Sequence, residues 1–314
     1  MKISYIIPCY RSAETVRAVV AEIDATMSVM ADYSYEIILI NDSSPDDTYA
    51  VIKTLCQEKS YLTGINLARN FGQHAALMAG FDKAEGDIVV CLDDDGQTPA
   101  NEAGKLIHAL LEGADVAYAR YNQKQHSGLR KMGSRLNDLM TRIMLDKPKN
   151  LYISSYFAVK RFVADEINRY DGPYPYVIGL VLRATKNIVN VDIVHRARVS
   201  GESGYTVGKL FSLWLNGFTA FSIKPLRMAT LVGAASAFCG FLYALYTIIK
   251  RFWISPEDTV LGFAAMISAI LFIGGLILLM LGLVGEYIGR MYISMNHSPQ
   301  YVIKETIGNH SDVA

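Results

Sequence analysis

Three consecutive carboxylates follow a short apolar run in the stretch CLDDDGQTP at 91–99. Alternate side chains of an extended segment point to the same side, so Asp93 and Asp95 are expected to project together. Gln97 continues this alternation with a neutral oxygen. Two carboxylates and an amide suit a hard cation such as Mg²⁺ or Mn²⁺, with substrate phosphates completing its coordination. The alternative is a solvated turn, or an acidic cap at the start of a helix.

A further carboxylate, Asp42, lies in the stretch ILINDSSPDDT at 38–48. It follows a predicted strand, and the carboxyl end of a strand is where ligands bind in open α/β sheets. Asp42 is therefore expected to accept hydrogen bonds from a ribose or a base edge. An Asx-turn is the alternative, and the two roles are compatible.

The first 120 residues alternate between short apolar runs, typical of buried strands, and longer segments with helical spacing. The strand-like runs are at 3–8, 36–40, 63–67, 87–92 and 115–119. Helical spacing runs from Val16 to Met27, with Ser12 as the predicted N-cap. Strands joined by helical crossovers predict an α/β domain with a mostly parallel sheet. Polar clusters follow four of the strands, at 10–12, 41–44, 69–72 and 93–95, and predict one ligand site.

The segment 121–150 is polar and basic, with amphipathic helical spacing from Leu129 onwards. It is either a solvated helix on the domain surface or a mobile flap beside an anionic ligand. Arg130 and Ser134 are four residues apart and so share one helical face, where they could hold the same oxyanion.

The apolar residues concentrate after position 225. Segments 228–249 and 260–284 contain no charged residue, and each is long enough to cross a hydrocarbon core. They predict a hairpin of two transmembrane helices, for which core helices of a soluble protein are a weaker alternative. The preceding segment 208–227, rich in Leu, Phe and Trp with basic ends, predicts a helix in the membrane interface. The predicted organisation is a catalytic domain at 1–207, this interfacial segment, the hairpin at 228–292 and a cytoplasmic tail at 293–314 that frays after Tyr301.

Composition excludes several classes of protein. Lys plus Arg and Asp plus Glu both number 30, so no overall field favours nucleic acid. The 4 cysteines form neither a CxxC pair nor a cluster with zinc spacing. This cysteine pattern fits reduced thiols, and the apolar run at the N-terminus is too short for a signal peptide. Both features predict that the first half of the chain is cytosolic. No GxGxxG follows the first strand, which argues against a soluble nucleotide-binding oxidoreductase.

An ordered set of motifs resembles the inverting family-2 glycosyltransferases with a GT-A fold. The set consists of SYIIPCY at 4–10, ILINDSSPDDT, LARNFGQHAALMAGFDKAEGD at 67–87 and CLDDDGQTP. Within the family, the chain resembles the polyprenyl-phosphate group, which includes dolichol-phosphate mannose synthase, bactoprenol glucosyltransferase and the undecaprenyl-phosphate aminoarabinose transferase. GESGYTVGKL at 201–210, FSIKPLR at 221–227 and GEYIGRMY at 285–292 resemble segments around the membrane helices of bacterial members.

The resemblance implies a Rossmann-like GT-A domain and a role for each matching position. Pro8, Tyr10 and Asp42 would line the nucleotide pocket, while Asp93, Asp95 and Gln97 would serve the metal. Asp94 belongs by position to the nucleotide-sugar site but is expected to point away from the metal. Arg120, Arg130, Ser134 and Arg198 would hold the acceptor phosphate; Asp93, Asp95 and Arg130 are the candidate catalytic residues. The alternative for each arginine is an ordinary surface charge.

Two departures from the family pattern limit this transfer of roles. Arg11 and Ser12 stand where the family commonly has Asn-Glu, so the contacts that hold the base are open. The stretch SSYF at 154–157 lacks an Asp that has been considered a candidate base in the family. No general base is therefore assigned, and a phosphate acceptor, whose second pKa is about 6, does not require one.

The implied reaction is inverting transfer of a sugar from a nucleotide diphosphate, with UDP favoured, to a polyprenyl (undecaprenyl) phosphate. It would occur at the cytoplasmic face of the bacterial inner membrane. The alternatives are a family-2 transferase with a glycan or another lipid as acceptor, and a nucleotide-sugar-binding component of a membrane transport system. Small residues in both apolar segments permit packing within the hairpin or in a homo-oligomer.

Overall fold

The computed structural model describes residues 1–121, 142, 147–194, 224–253, 262–296 and 298–308. The chain divides into two compact units. One comprises Met1–Leu213 together with His297–Ala314, and the other comprises Trp214–Asn296.

The first unit is built on one eight-stranded sheet with helices between the strands. Its strands are β1 (Lys2–Cys9), β2 (Ser34–Asn41), β3 (Leu62–Leu67), β4 (Ile88–Cys91), β5 (Val116–Tyr121), β6 (Phe157–Lys160), β7 (Ile188–Ile193) and β8 (Ile303–Gly308). Its helices, among the described residues, are α1 (Val16–Val29), α2 (Thr48–Glu58), α3 (Gln73–Lys83), α4 (Ala103–Leu111, after a 3-10 turn at Ala100–Glu102), α5 (Arg161–Asn168) and α6 (Val177–Ala184). The strand order is β7-β5-β6-β4-β1-β2-β3-β8.

The centre of the sheet is parallel, as the sequence predicts. β1 pairs in parallel with β2 on one side and with β4 on the other, and β2 pairs in parallel with β3. β1, β2 and β4 are almost continuous runs of buried apolar residues, because helices cover both faces of such a sheet. The strand order reverses direction between β1 and β4, and open α/β sheets bind ligands at the carboxyl ends of strands at such a point.

Two local predictions are wrong. Helix α1 begins at Val16 with Thr15 as its N-cap, not with Ser12. The Ser12 carbonyl instead accepts the Thr15 and Val16 N–H groups at 3.1 and 3.0 Å, so it is the backbone of Ser12 that supports the first turn. The predicted frayed end after Tyr301 contains strand β8, which pairs antiparallel with β3. Strand β3 would otherwise be an edge strand with unpaired N–H and C=O groups, and β8 satisfies them.

The described part of the second unit contains two long helices, α7 (Lys224–Trp253) and α8 (Gly262–Met295). Among the residues described here, one stretch, Phe272–Met295, is long and apolar enough by composition to cross a membrane, with a mean hydropathy of 1.9. A shorter apolar stretch, Ala229–Leu242, lies in α7. Large apolar side chains on α8 are exposed, among them Leu278 and Leu279 at 71% and 63%.

Candidate active site

The four polar clusters predicted from the sequence meet at the carboxyl ends of β1, β2, β3 and β4, and hydrogen bonds connect them. The Tyr10 N–H donates to Asp94 Oδ2 at 2.9 Å, which joins the loops after β1 and β4. The Arg11 N–H donates to Ser44 Oγ at 2.8 Å, which joins the loops after β1 and β2. Asp42, which follows β2, and Asp93, which follows β4, each contact the segment after β3 through the hydrogen bonds described next.

Asp93 is held on both carboxylate oxygens by neutral donors. Gln73 Nε2, on the first residue of α3, donates to Oδ1 at 3.0 Å. Ser155 Oγ, in the loop before β6, donates to Oδ2. Burial raises the pKa of Asp93 to about 6; the Ser155 bond opposes this rise, and the charges of Asp95 and Asp94 add to it. Asp93 is thus a carboxylate whose charge lacks compensation within its described surroundings.

The other two carboxylates have different partners. Asp94 accepts the Tyr10 N–H, and burial raises its pKa. Asp95 Oδ1 accepts the N–H of Gln97 at 3.0 Å and so stabilises the turn that contains Gly96, whose φ is +72°. Asp94 is directed to the loop after β1, whereas Asp93 contacts Gln73 and Ser155; that Asp94 is dispensable to a metal stays a prediction.

The acidic cluster fits a divalent cation that takes most of its ligands from a bound substrate. No group of three or more His, Cys, Asp or Glu side chains in the described ranges is arranged to hold a metal. The predicted set of Asp93, Asp95 and Gln97 has only two carboxylates and thus requires outside ligands, as is usual for Mg²⁺ bound with phosphates. The described donors to Asp93 and Asp94 are all neutral, so a cation would supply the charge that the cluster lacks.

Asp42 anchors the loop after β3. Its Oδ1 accepts the Phe71 N–H at 2.7 Å and its Oδ2 accepts the Gly72 N–H at 2.8 Å. Burial raises the pKa of this carboxyl, while the two N–H donors oppose the rise. Gly72, at φ +89°, adopts a backbone conformation that favours glycine and leads directly into Gln73. Asp42 therefore has a structural task next to the site, in addition to the nucleotide contact predicted for it.

Arg120 forms an ion pair within the sheet. On β5 it lies opposite Asp192 of β7, and its Nε and Nη2 bond the two carboxylate oxygens at 2.6 and 3.0 Å. This partner, which raises the pKa of Arg120, was not predicted from the sequence. A phosphate acceptor would therefore compete with Asp192 for this guanidinium.

The remaining predicted site residues fall into two groups. Pro8 lies in β1, level with Ile40 of β2, and Tyr10 is 45% exposed just beyond the strand. Arg130, Ser134 and Arg198, predicted to bind the acceptor phosphate, lie outside the described residues.

Sequence reasoning missed three residues around Asp93: Gln73, Ser155 and Asn190. The first two contact Asp93 directly. Asn190 bonds the backbone of Tyr152, three residues before Ser155. The position of Ser155 carried one signal, because the family often has an acidic residue in this stretch.

Comparison with known proteins identifies the family. Residues 4–167, just over half of the chain, match the model described as glycosyl transferase family 2. The chain belongs to glycosyltransferase family 2. Residues 224–291 of this transferase match a second model, described as the GtrB C-terminal hairpin.

Relatives of the transferase match along nearly its whole length. Proteins of Yersinia pestis and Yersinia pseudotuberculosis named undecaprenyl-phosphate 4-deoxy-4-formamido-L-arabinose transferase are 29% identical over 318 residues, covering 99% of this chain and 97% of theirs.

Solved structures show the same fold at lower identity. Glucosyl-3-phosphoglycerate synthase from Mycobacterium tuberculosis, solved with Mn²⁺ and UDP-glucose, aligns with a TM-score of 0.51 at 18% identity. The alignment covers 69% of the transferase and 77% of that chain. Mannosyl-3-phosphoglycerate synthase from Rubrobacter xylanophilus gives 0.50 at 17% identity, over 73% and 74% of the two chains. These similarities confirm the predicted Rossmann-like GT-A fold of the first unit.

Proposed function

We propose that this transferase moves a sugar from a nucleotide diphosphate donor, UDP in preference to GDP, to a polyprenyl phosphate in the membrane. The observation that carries the proposal is the joining of the four polar loops around Asp93, Asp94 and Asp95 at the reversal point of the sheet. The Yersinia relatives, whose name includes undecaprenyl phosphate, support the acceptor because the similarity extends over both units.

The loops after β1 and β2 would bind the nucleoside. Tyr10 is exposed at this edge, and Asp42 fixes the backbone of Phe71 and Gly72 beside it. Asp93, Asp95 and Gln97 would hold Mg²⁺ or Mn²⁺ with the diphosphate of the donor. When bound, the cation supplies Lewis-acid stabilisation of the negative charge that develops on the leaving nucleoside diphosphate.

The acceptor phosphate would attack the anomeric carbon from the face opposite the leaving group, which inverts the configuration. Arg120 would hold this phosphate in exchange for Asp192, together with Arg130, Ser134 and Arg198. Such positioning accounts for a large share of the rate enhancement in reactions between two bound substrates. Because the phosphate is ionised near neutral pH, it attacks without a general base on the protein.

The second unit would place the site at the bilayer surface. The exposed apolar side chains of α8 and the match of residues 224–291 to a hairpin family support insertion of α7 and α8 as two spanning helices. The lipid phosphate lies at the surface of the membrane, so the reaction requires no translocation. The location proposed is the inner membrane of a bacterium, with the catalytic unit in the cytosol.

The test is a transfer assay with the full-length protein in membranes. Labelled nucleotide sugars are incubated with undecaprenyl phosphate and Mn²⁺ or Mg²⁺, and label extracted into organic solvent is measured. We expect lipid-linked product with one donor and a loss of at least about 100-fold in Asp95→Ala, since Lewis-acid stabilisation is worth several kcal/mol. Asp32→Ala, at an exposed position before β2, is the control and should leave the rate unchanged.

Three results would contradict the proposal or favour an alternative. Absence of lipid-linked product with every donor tested contradicts it. Transfer that does not depend on polyprenyl phosphate favours a glycan or another lipid as the acceptor. Nucleotide-sugar binding without any transfer or hydrolysis product favours a binding component of a transport system.

A further inference from the structure

The two donors to Asp93 come from distant parts of the chain. Gln73 begins α3, and Ser155 lies in the loop that precedes β6, 62 residues after Asp93. Both donors are neutral, so they fix the orientation of the carboxylate while leaving its negative charge in place. A guanidinium or ammonium at either position would instead compete with a cation for that charge.

The loop that carries Ser155 is attached to the sheet by Asn190 of β7. Asn190 Oδ1 accepts the N–H of Tyr152 at 2.8 Å, and Nδ2 donates to the Tyr152 carbonyl at 2.7 Å. One carboxamide thus satisfies both backbone groups of one residue, as a neighbouring strand would. These two hydrogen bonds fix the position of the loop three residues before Ser155.

The other side of the loop is attached to the turn that carries Asp93. Tyr156, whose side chain is fully buried, donates its hydroxyl to the Pro99 carbonyl at 3.0 Å. Thr98 Oγ1 donates to the Asp93 carbonyl at 3.2 Å. Ser155 is therefore held between Asn190 and the turn that carries Asp93, although its own side chain is exposed.

We propose that Ser155 is a positioning residue of the donor site: its hydroxyl fixes the Asp93 carboxylate, and Asn190 fixes Ser155 through the backbone of Tyr152. Outer groups that orient a metal-binding carboxylate typically change metal affinity 10-fold to 100-fold when they are removed. This inference rests on the proposed function, because it assigns Asp93 to the cation and the nucleotide.

The exposure of Ser155 makes its replacement a clean test. Ser155 is exposed, and the described bond that Ser155→Ala removes is the one to Asp93 Oδ2, so the thermal midpoint of unfolding should change little. A merely structural role would appear in that midpoint, whereas a positioning role appears in the cation and nucleotide affinities.

The experiment measures Mn²⁺ binding to the full-length protein in the presence of UDP or GDP, whichever the wild type binds, together with donor KM and kcat. We expect Ser155→Ala to raise the Mn²⁺ concentration for half-saturation about 10-fold to 100-fold, with a smaller change in kcat. Ser155→Thr keeps the hydroxyl, so its Mn²⁺ concentration for half-saturation should stay within about 3-fold of the wild-type value. This is clearly less than the increase of about 10-fold that is the smallest expected for alanine. Ser28→Ala, an exposed serine on α1, is the matched control and should behave as wild type.

The outcomes separate this inference from the proposed function. The positioning role is contradicted if Ser155→Ala reaches half-saturation at the wild-type Mn²⁺ concentration, or if Ser155→Thr loses as much Mn²⁺ affinity as Ser155→Ala. Neither result contradicts the proposed function. A wild-type protein that binds no Mn²⁺ with either nucleotide contradicts the proposed function and the positioning role with it.

The role of Asn190 is tested by coupling. Asn190→Ala should weaken Mn²⁺ binding in the same direction, and Ser155→Ala/Asn190→Ala should be no weaker than Ser155→Ala. Residues that act through one another show such non-additive losses. Fully additive losses would mean that Asn190 does not act through Ser155.

Discussion

The three adjacent carboxylates after β4 differ in what each one contacts. Asp93 is oriented by two neutral side chains, Asp94 accepts a backbone N–H from the loop after β1, and Asp95 accepts one from its own turn. Mutual repulsion of three neighbouring anions in a half-buried turn is unfavourable, and the cation proposed to bind there would offset it.

Because Asp94 and Asp95 have different contacts, alanine should have unequal effects at the two positions. Asp94→Ala should retain most of kcat and raise the KM for the nucleotide sugar, because the Tyr10 N–H loses its acceptor. Asp95→Ala should lose nearly all activity. Steady-state kinetics of the two variants decide the matter, and equal losses of kcat would show that Asp94 also serves the cation.

Glu36 provides a pH-dependent test at the opposite end of β2. It is buried, which alone would raise its pKa, but bonds from Lys2, Ser4 and the Glu85 N–H outweigh burial and lower the pKa below its ordinary 4.5. A lowered pKa in the folded state contributes stability above about pH 4.5 that is lost as the pH falls through the folded-state value.

Glu36→Gln should therefore unfold at a lower temperature than wild type at pH 7.5, and the difference should shrink below pH 4.5. Thermal unfolding at the two pH values measures it, with the exposed Asp32→Asn as the control. A difference that does not depend on pH would mean that the charge of Glu36 contributes nothing.

At the scale of elements, α3 determines where Gln73 meets Asp93, and its close packing on the sheet depends on Gly80. A Cβ at Gly80 would lie 2.3 Å from Ile6 Cγ2 and 3.0 Å from Ile40 Cδ1, both on fully buried residues. Gly80→Ala should thus destabilise the protein by about 1–3 kcal/mol through overpacking.

The matched control for Gly80→Ala is Gly104→Ala on α4. There the new Cβ would be 3.5 Å from Met30 Sδ, which is ordinary contact. Alanine also favours the helix by up to about 1 kcal/mol, so this variant should unfold at or above the wild-type temperature. If both variants behaved alike, close packing of α3 would not be the cause.

The elements that could be predicted from the sequence are those with a strong local signal. The five apolar runs in residues 1–120 correspond to β1–β5, and the polar ends of β1–β4 meet as expected. Strands β6, β7 and β8 were not predicted, because the four to six residues of each acquire a strand partner only through distant contacts. For the same reason Ser155, Asn190 and the Asp192 partner of Arg120 escaped prediction.

On the scale of the whole molecule, the chain returns to the first unit after α8. Strand β8 pairs with β3, the Ala68 N–H donates to the Val302 carbonyl at 2.8 Å, and Lys53 pairs with Glu305 at 3.1 Å. The pairing ends one residue before Arg69, where the loop anchored by Asp42 begins. The C-terminal segment is therefore part of the catalytic unit.

Removal of residues 301–314 should lower the unfolding temperature and increase aggregation, because it leaves β3 as an open edge. It should also raise the donor KM, since the loop that follows β3 loses a support. Removal of 309–314 alone keeps β8 and is the control. Thermal unfolding and light scattering of the two truncated proteins measure the effect; equal behaviour would contradict a structural role for β8.

The central claim, transfer of a sugar without its phosphate to a polyprenyl phosphate, is tested most directly by mass spectrometry of both products of one reaction. The full-length protein is incubated with undecaprenyl phosphate, Mn²⁺ and the nucleotide sugar that gives lipid-linked product in the transfer assay. We predict a lipid carrying the sugar through a single phosphate, formed in equal amount with a nucleoside diphosphate. A lipid with a diphosphate linkage and a released nucleoside monophosphate, or free sugar without a lipid product, would contradict the account.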